Sequence, residues 1–92
     1  MEVLCKQVRI EGRVQGVSYR IWTQKQAEHL GIVGSAINCP DGSVLVTACG
    51  QSEGLASLIQ LLKEGPPEAH VKRVHIEGND NLSPMPSGFH IG

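Results

Sequence analysis

Ninety-two residues, 40% of them hydrophobic and 18% charged, suffice for one core and are too few to divide between two, so residues 1–92 are expected as a single globular domain. A formal net charge of -1 argues against broad nucleic-acid affinity, which draws on many Lys and Arg contacts to phosphates. No apolar run approaches the roughly 20 residues of a membrane helix, and the N-terminal residues alternate charge with apolar side chains instead of forming a signal core, so a cytoplasmic protein with no membrane partner is expected.

Residues 4–11 alternate, with Leu4, Val8 and Ile10 on one face and Cys5, Gln7, Arg9 and Glu11 on the other, the pattern of a half-buried strand. Residues 12–18 break the alternation with two glycines, and a helix-favouring run follows over residues 20–30, placing Thr23, Ala27 and Leu30 on one weakly apolar side before Gly31 stops it. Residues 33–38 and 43–49 read as two strands joined by a Cys-Pro-Asp-Gly turn, where Asp41 and Gly42 supply hairpin chemistry. Ser52 is the expected cap of a second helix whose Leu55, Leu58, Ile59 and Leu62 form a buried stripe, ended by Gly65, Pro66 and Pro67. Residues 71–77 alternate Val74 and Ile76 with polar neighbours as a fourth strand, and after a Pro-rich, Ser-containing stretch Phe89 and Ile91 suggest a short fifth.

The order βαββαβ predicts an α+β, ferredoxin-like sandwich: a four- to five-stranded antiparallel sheet with two helices on one face. In that topology the first and third strands are central neighbours, and pairing Val8 with Val46 keeps Val8, Ile10, Val44 and Val46 on the helix side. The same register sets Cys5 opposite Cys49 on the open face as a candidate disulfide, although a cytoplasmic setting keeps thiols reduced. With Cys39 the cysteines number three, and no CxxC spacing suggests a zinc site or a redox motif.

Fold order leaves function open, because ferredoxin-like domains serve many ends. The informative segment is GRVQGVSYR, residues 12–20, in which a strand runs into a helix through a glycine-containing turn that ends in an arginine. Successive backbone N–H groups in such a turn can face one concavity, and the positive end of the following helix adds to the same field. Gly16 permits close backbone approach, and Arg20 offers a planar, permanently charged fork matched to two phosphate oxygens.

This string resembles the signature of the acylphosphatase family, GxVQGVxFR. The resemblance continues through AEHLGIVG, through Asn38 in NCPDGSV and through Gly50, nearly to Phe89 and Ile91. Two positions depart from the family pattern: Tyr19 stands where Phe is usual, and Ser35 where an aromatic residue is common. The resemblance implies that Gln15, Gly16, Val17, Ser18, Tyr19 and Arg20 bind a phosphate through backbone amides and the guanidinium. It further implies that Arg20 and Asn38 are catalytic, with the Asn38 amide holding the attacking water. The implied reaction is metal-free and cofactor-free hydrolysis of small acyl phosphates to a carboxylate and inorganic phosphate, the latter also an inhibitor, by a monomeric enzyme.

Physical chemistry makes that division of labour sensible, since a carboxylate leaves readily and charge stabilisation with positioning can suffice. The Ser18 and Tyr19 hydroxyls have no His or acid spaced to activate them, so packing or hydrogen bonding is expected instead. His29, His70, His75 and His90 are scattered and do not suggest a metal site. Strand alternation turns Cys39 away from Asn38, which makes it a bystander. The competing reading is a non-catalytic phosphate-binding regulatory module, against which Asn38 speaks, because pure binding needs no water-holding amide. An RNA-reading sheet is disfavoured because Tyr19, Trp22 and Phe89 form no stacking pair on central strands, and a metal carrier by the missing CxxC.

Overall fold

A computed structural model describes residues 3–79 and 87–92. Its elements in chain order are β1 (Leu4–Arg13), α1 (Tyr19–His29), β2 (Val33–Asn38), β3 (Val44–Gly50), α2 (Ser52–Glu64), β4 (His70–Asn79) and β5 (Phe89–Ile91). The Pro-rich stretch expected before the last strand falls largely on residues 80–86, outside the described residues.

The sheet order is β4-β1-β3-β2-β5, with β1 and β3 antiparallel at its centre and Val8 opposite Val46 as expected. Val8, Ile10, Val44 and Val46 are fully buried, and they pack with Leu55, Leu58 and Leu62 of α2 and Ala27 of α1 in one contiguous core. Burying these aliphatic side chains, at about 1.5–3 kcal/mol each, is the main favourable term in folding.

The expectation of a wholly antiparallel sheet is corrected at β5, which runs parallel to β2 through Gly34–Phe89, Ser35–His90 and Ala36–Ile91. The reason is one of direction. β4 runs antiparallel to β1 and so leaves the sheet at the end remote from the loop over residues 14–18. A strand returning from there must run back toward that loop, which is the direction of β1 and β2. Two α1 side chains one turn apart hold it: Gln24 donates to the Phe89 carbonyl at 2.7 Å, and Arg20 donates to the backbone oxygen of Gly92.

Several boundaries differ from the sequence reading. β1 continues to Arg13 because a register shift at Glu11/Gly12 absorbs the glycine. Gly12 there has φ +129°, and a Cβ would collide with the backbone oxygen of His70. Ser52 is the first residue of α2 and not its cap; Gln51 holds the cap position without a side-chain bond, and Glu53 sits in the first turn. Ile76 lies on the helix-bearing side opposite Val8, yet it is 52% exposed because β4 is an edge strand.

Cys5 and Cys49 face each other on the central strand pair and their sulfurs are bonded. Both are buried, although they lie on the face away from the helices, and Cys39 remains a free thiol. The bridge spans a sequence separation of 44 residues. Closing a loop of that size in the unfolded chain stabilises the fold by about 2–4 kcal/mol. The Cys5→Ala/Cys49→Ala double variant is therefore expected to lose about that much in urea unfolding, with the wild type in reductant shifting toward it; coincident oxidised and reduced curves for the wild type would exclude the effect.

Candidate active site

The site forms where β1 ends and α1 begins. The strand delivers Val14 into the core, and Val17 packs against the same core from the partly buried side. Between and beyond these anchors the backbone bends twice into the left-handed region, at Gly16 with φ +75° and at Ser18 with φ 61° and ψ 21°. Ser18 is the only non-glycine with positive φ among the described residues, a conformation that costs roughly 1–2 kcal/mol for an L-residue. Such left-handed steps fold consecutive N–H groups toward one concave side.

Ser18 is also the N-cap of α1, with no side-chain cap bond, and Trp22 N–H is the first amide to close on it, at 3.0 Å. Among the described residues, none of the amides of residues 15–21 donates to another protein group. Seven donors at the positive end of a helix are thus left for an outside acceptor. A hollow of about 250 Å³ lies there, lined by Val14, Gly16, Ser18, Tyr19, Arg20 and Ile21.

Of the residues the sequence nominated, Gly16, Ser18, Tyr19 and Arg20 line this hollow together, while Gln15 and Val17 stand beside it. Arg20 is half-buried and reaches the backbone oxygen of Gly92, whose own N–H bonds to Ala36 of β2 at 3.2 Å. The guanidinium therefore sits beside β2. Asn38 ends that strand two residues beyond Ala36, so alternation gives it the same helix-bearing face, as does its pairing with buried Val44. Its side chain is exposed, because the strand end projects past the core.

Two functions of side chains here were not legible in the chain. The Gln15 amide donates to the carbonyls of both Cys39 and Ser43, each at 2.9 Å, clamping the loop to the β2–β3 turn. These partners lie 24 and 28 residues away, and no local pattern announces them. Tyr19 is buried, packs with its ring tilted against that of Trp22, and donates its hydroxyl to Leu62 O in the last turn of α2 at 2.7 Å. The hydroxyl that distinguishes it from the usual Phe thereby satisfies a helix-end carbonyl. Burial raises the Tyr19 pKa well above the ordinary phenol value of 10.0.

On the other face Arg9 ties the same turn from below. It holds Glu77 through Nε at 2.7 Å and Nη2 at 3.2 Å, and donates to the Ser43 hydroxyl at 2.8 Å. Asp41 accepts from Ser43 Oγ at 2.6 Å and from Ser43 N at 2.9 Å, and these bonds, aided by Arg9, hold its pKa below the usual carboxylate range. Among the described residues no group of three His, Cys, Asp or Glu side chains is placed to hold a metal.

A family profile described as Acylphosphatase matches residues 6–91. An acylphosphatase of Halorhodospira halophila is 49% identical over 83 residues, covering 90% of this chain and 88% of that one. Among solved structures, an acylphosphatase from Bacillus subtilis superposes with a TM-score of 0.90 at 29% identity over 97% of this chain and 98% of that one. One from Coxiella burnetii gives 0.84 at 33%, covering 98% and 93%.

Two outcomes test the local physics. Gln15→Leu, which removes the second donor from two carbonyls that keep a backbone N–H partner, is expected to lower stability by about 1–2 kcal/mol and to speed amide exchange in residues 38–43; unchanged exchange there would show that the clamp is dispensable. For Tyr19, the folded-state pKa is raised, so its contribution is complete below the unfolded value of about 10 and is lost as pH rises above it. Urea titrations are expected to show the wild type losing more stability between neutral and strongly alkaline pH than Tyr19→Phe, which lacks that ionisation. Parallel losses would refute the assignment.

Proposed function

The chain belongs to the acylphosphatase family, and from that premise we propose that it hydrolyses acyl phosphates, holding the phosphoryl group in the hollow at the start of α1. Water attacks phosphorus, the bond from phosphorus to the acyl oxygen breaks, and a carboxylate and inorganic phosphate leave with release of a proton. The observation that carries this reading is the run of undonated amides over residues 15–21 around a hollow that Arg20 also lines.

In this reading the amides and the Arg20 guanidinium bind the phosphoryl oxygens, where charge builds as the reaction proceeds. The left-handed conformation at Ser18 is the strain accepted to aim them. Asn38, on the helix-bearing face of the neighbouring strand end, holds the attacking water. The Gln15 clamp fixes the distance between the two parts, because it joins the loop to the residue that follows Asn38. The leaving carboxylate is a weak base and needs no proton donor, so the proposal includes no metal, no cofactor and no proton-transferring side chain. It also treats residues 1–92 as one domain acting as a cytoplasmic monomer; no helix among the described residues is long and apolar enough to cross a membrane.

Purified protein is expected to hydrolyse benzoyl and acetyl phosphate in excess chelator, to leave a phosphate monoester nearly untouched, and to be inhibited competitively by inorganic phosphate. Arg20→Ala is expected to lower kcat/KM by about 10²–10³-fold, the loss typical of one charge-stabilising donor. Asn38→Ala is expected to lower kcat while the inhibition constant of phosphate stays put. Wild-type turnover in Asn38→Ala would remove the residue from the mechanism, and phosphate binding without any turnover in the wild type would favour a regulatory module instead.

A further inference from the structure

A second hollow, larger than the one at the start of α1, lies nearby. It measures about 680 Å³, against about 250 Å³, and lies at the same end of the sheet, between the end of β1, the β2–β3 turn and the start of β4. Arg13, Lys72 and Arg73 line it, together with His70, Glu11 and Asp41. The whole chain has only eight Lys and Arg residues, so three around one hollow is a marked concentration in a protein of net charge -1.

The carboxylates of this hollow are already answered. Glu11 meets the ring of His75 at 2.8 Å, and Asp41 is turned to Ser43 and Arg9. Arg9 in turn holds Glu77. The side chains of Arg13, Lys72 and Arg73, by contrast, make no hydrogen bond or ion pair with any described residue. A bay with three unspent cations and its acids engaged elsewhere favours an anion.

The two hollows are lined by consecutive residues. Arg13 lines the larger and the next residue, Val14, the smaller, so their backbones are one peptide apart. Ser43 lines the larger, and its carbonyl is held by Gln15 from the phosphate-binding loop. Arg20 is the one cation that lines the smaller hollow, and the phosphoryl group takes it, so a second negative charge on the acyl part of a substrate would find its partners in the larger one.

We propose that the larger hollow is a second anion site that takes a terminal carboxylate or phosphate on the acyl group, so that this enzyme prefers acyl phosphates charged at both ends. The inference rests on the acyl phosphate hydrolysis proposed above. Its pair of test substrates is succinyl phosphate and butyryl phosphate, which match in length and differ in a terminal carboxylate against a methyl group. The wild type is expected to favour succinyl phosphate in kcat/KM by about tenfold at low ionic strength, as for one charge-assisted contact, and less so in high salt.

In Lys72→Ala/Arg73→Ala, and independently in Arg13→Gln, the ratio of the two kcat/KM values is expected to fall toward one. Equal use of both substrates by the wild type would overturn the proposal, and so would a preference that survives both variants. If free succinate alters butyryl phosphate turnover while the wild type shows no preference, the hollow serves a separate effector and the substrate assignment falls. Failure to hydrolyse even butyryl phosphate would instead defeat the underlying activity, which keeps the two failures distinct.

Discussion

The site depends on one side-chain amide. Gln15 spans from the loop after β1 to two carbonyls of the β2–β3 turn, and so ties that loop directly to the residue that follows Asn38. Both bonds are partly buried, where a neutral hydrogen bond contributes about 1 kcal/mol net, and each carbonyl also accepts a backbone N–H. The constraint is therefore worth more in geometry than in stability. It makes two segments that are far apart in sequence behave as one rigid rim.

The rim is held from the opposite side as well. Arg9, on the face away from the helices, links Glu77 on β4 to Ser43 in the β2–β3 turn and comes within 3.8 Å of Asp41 in the same turn. Its partners are exposed enough for solvent to weaken the ion pairs, so the bidentate geometry matters more than the charge. The turn is thus gripped by Gln15 above and Arg9 below. What the grip leaves free is the row of amides over residues 15–21 and the three cations beside them.

Strain and satisfaction are divided between adjacent residues. Ser18 adopts the left-handed conformation that opens the amide row, while Tyr19, next to it, is sunk in the core with its hydroxyl on Leu62. A well-packed neighbour is what lets an unfavourable backbone conformation persist. The same residue couples α1 to the end of α2, so the loop inherits the rigidity of both helices.

Much of this was legible along the chain. Period-two alternation placed β1 and its register against β3, including the Cys5–Cys49 pair, because side chains on a strand must face either the core or away from it. The i, i+3, i+4, i+7 stripe of Leu55, Leu58, Ile59 and Leu62 placed α2, and the Gly-and-Arg string marked the loop that opens the hollow before α1. The amphipathic signal of α1 was weak because its buried face is built from small or polar residues such as Thr23 and Ala27, with Tyr19 at its very start.

The remainder was settled only by folding. The direction of β5 follows from where β4 ends in space, and the partners of Gln15, Arg9 and Tyr19 lie 24 to 68 residues away, beyond any local pattern. The gathering of Arg13, Lys72 and Arg73 around one hollow needs β1 and β4 side by side. Sequence by itself determined the elements, the core face and the loop, because those depend on periodicity and backbone preference. Tertiary structure decided which polar side chains meet, because that depends on contacts between chain segments that only the completed sheet brings together.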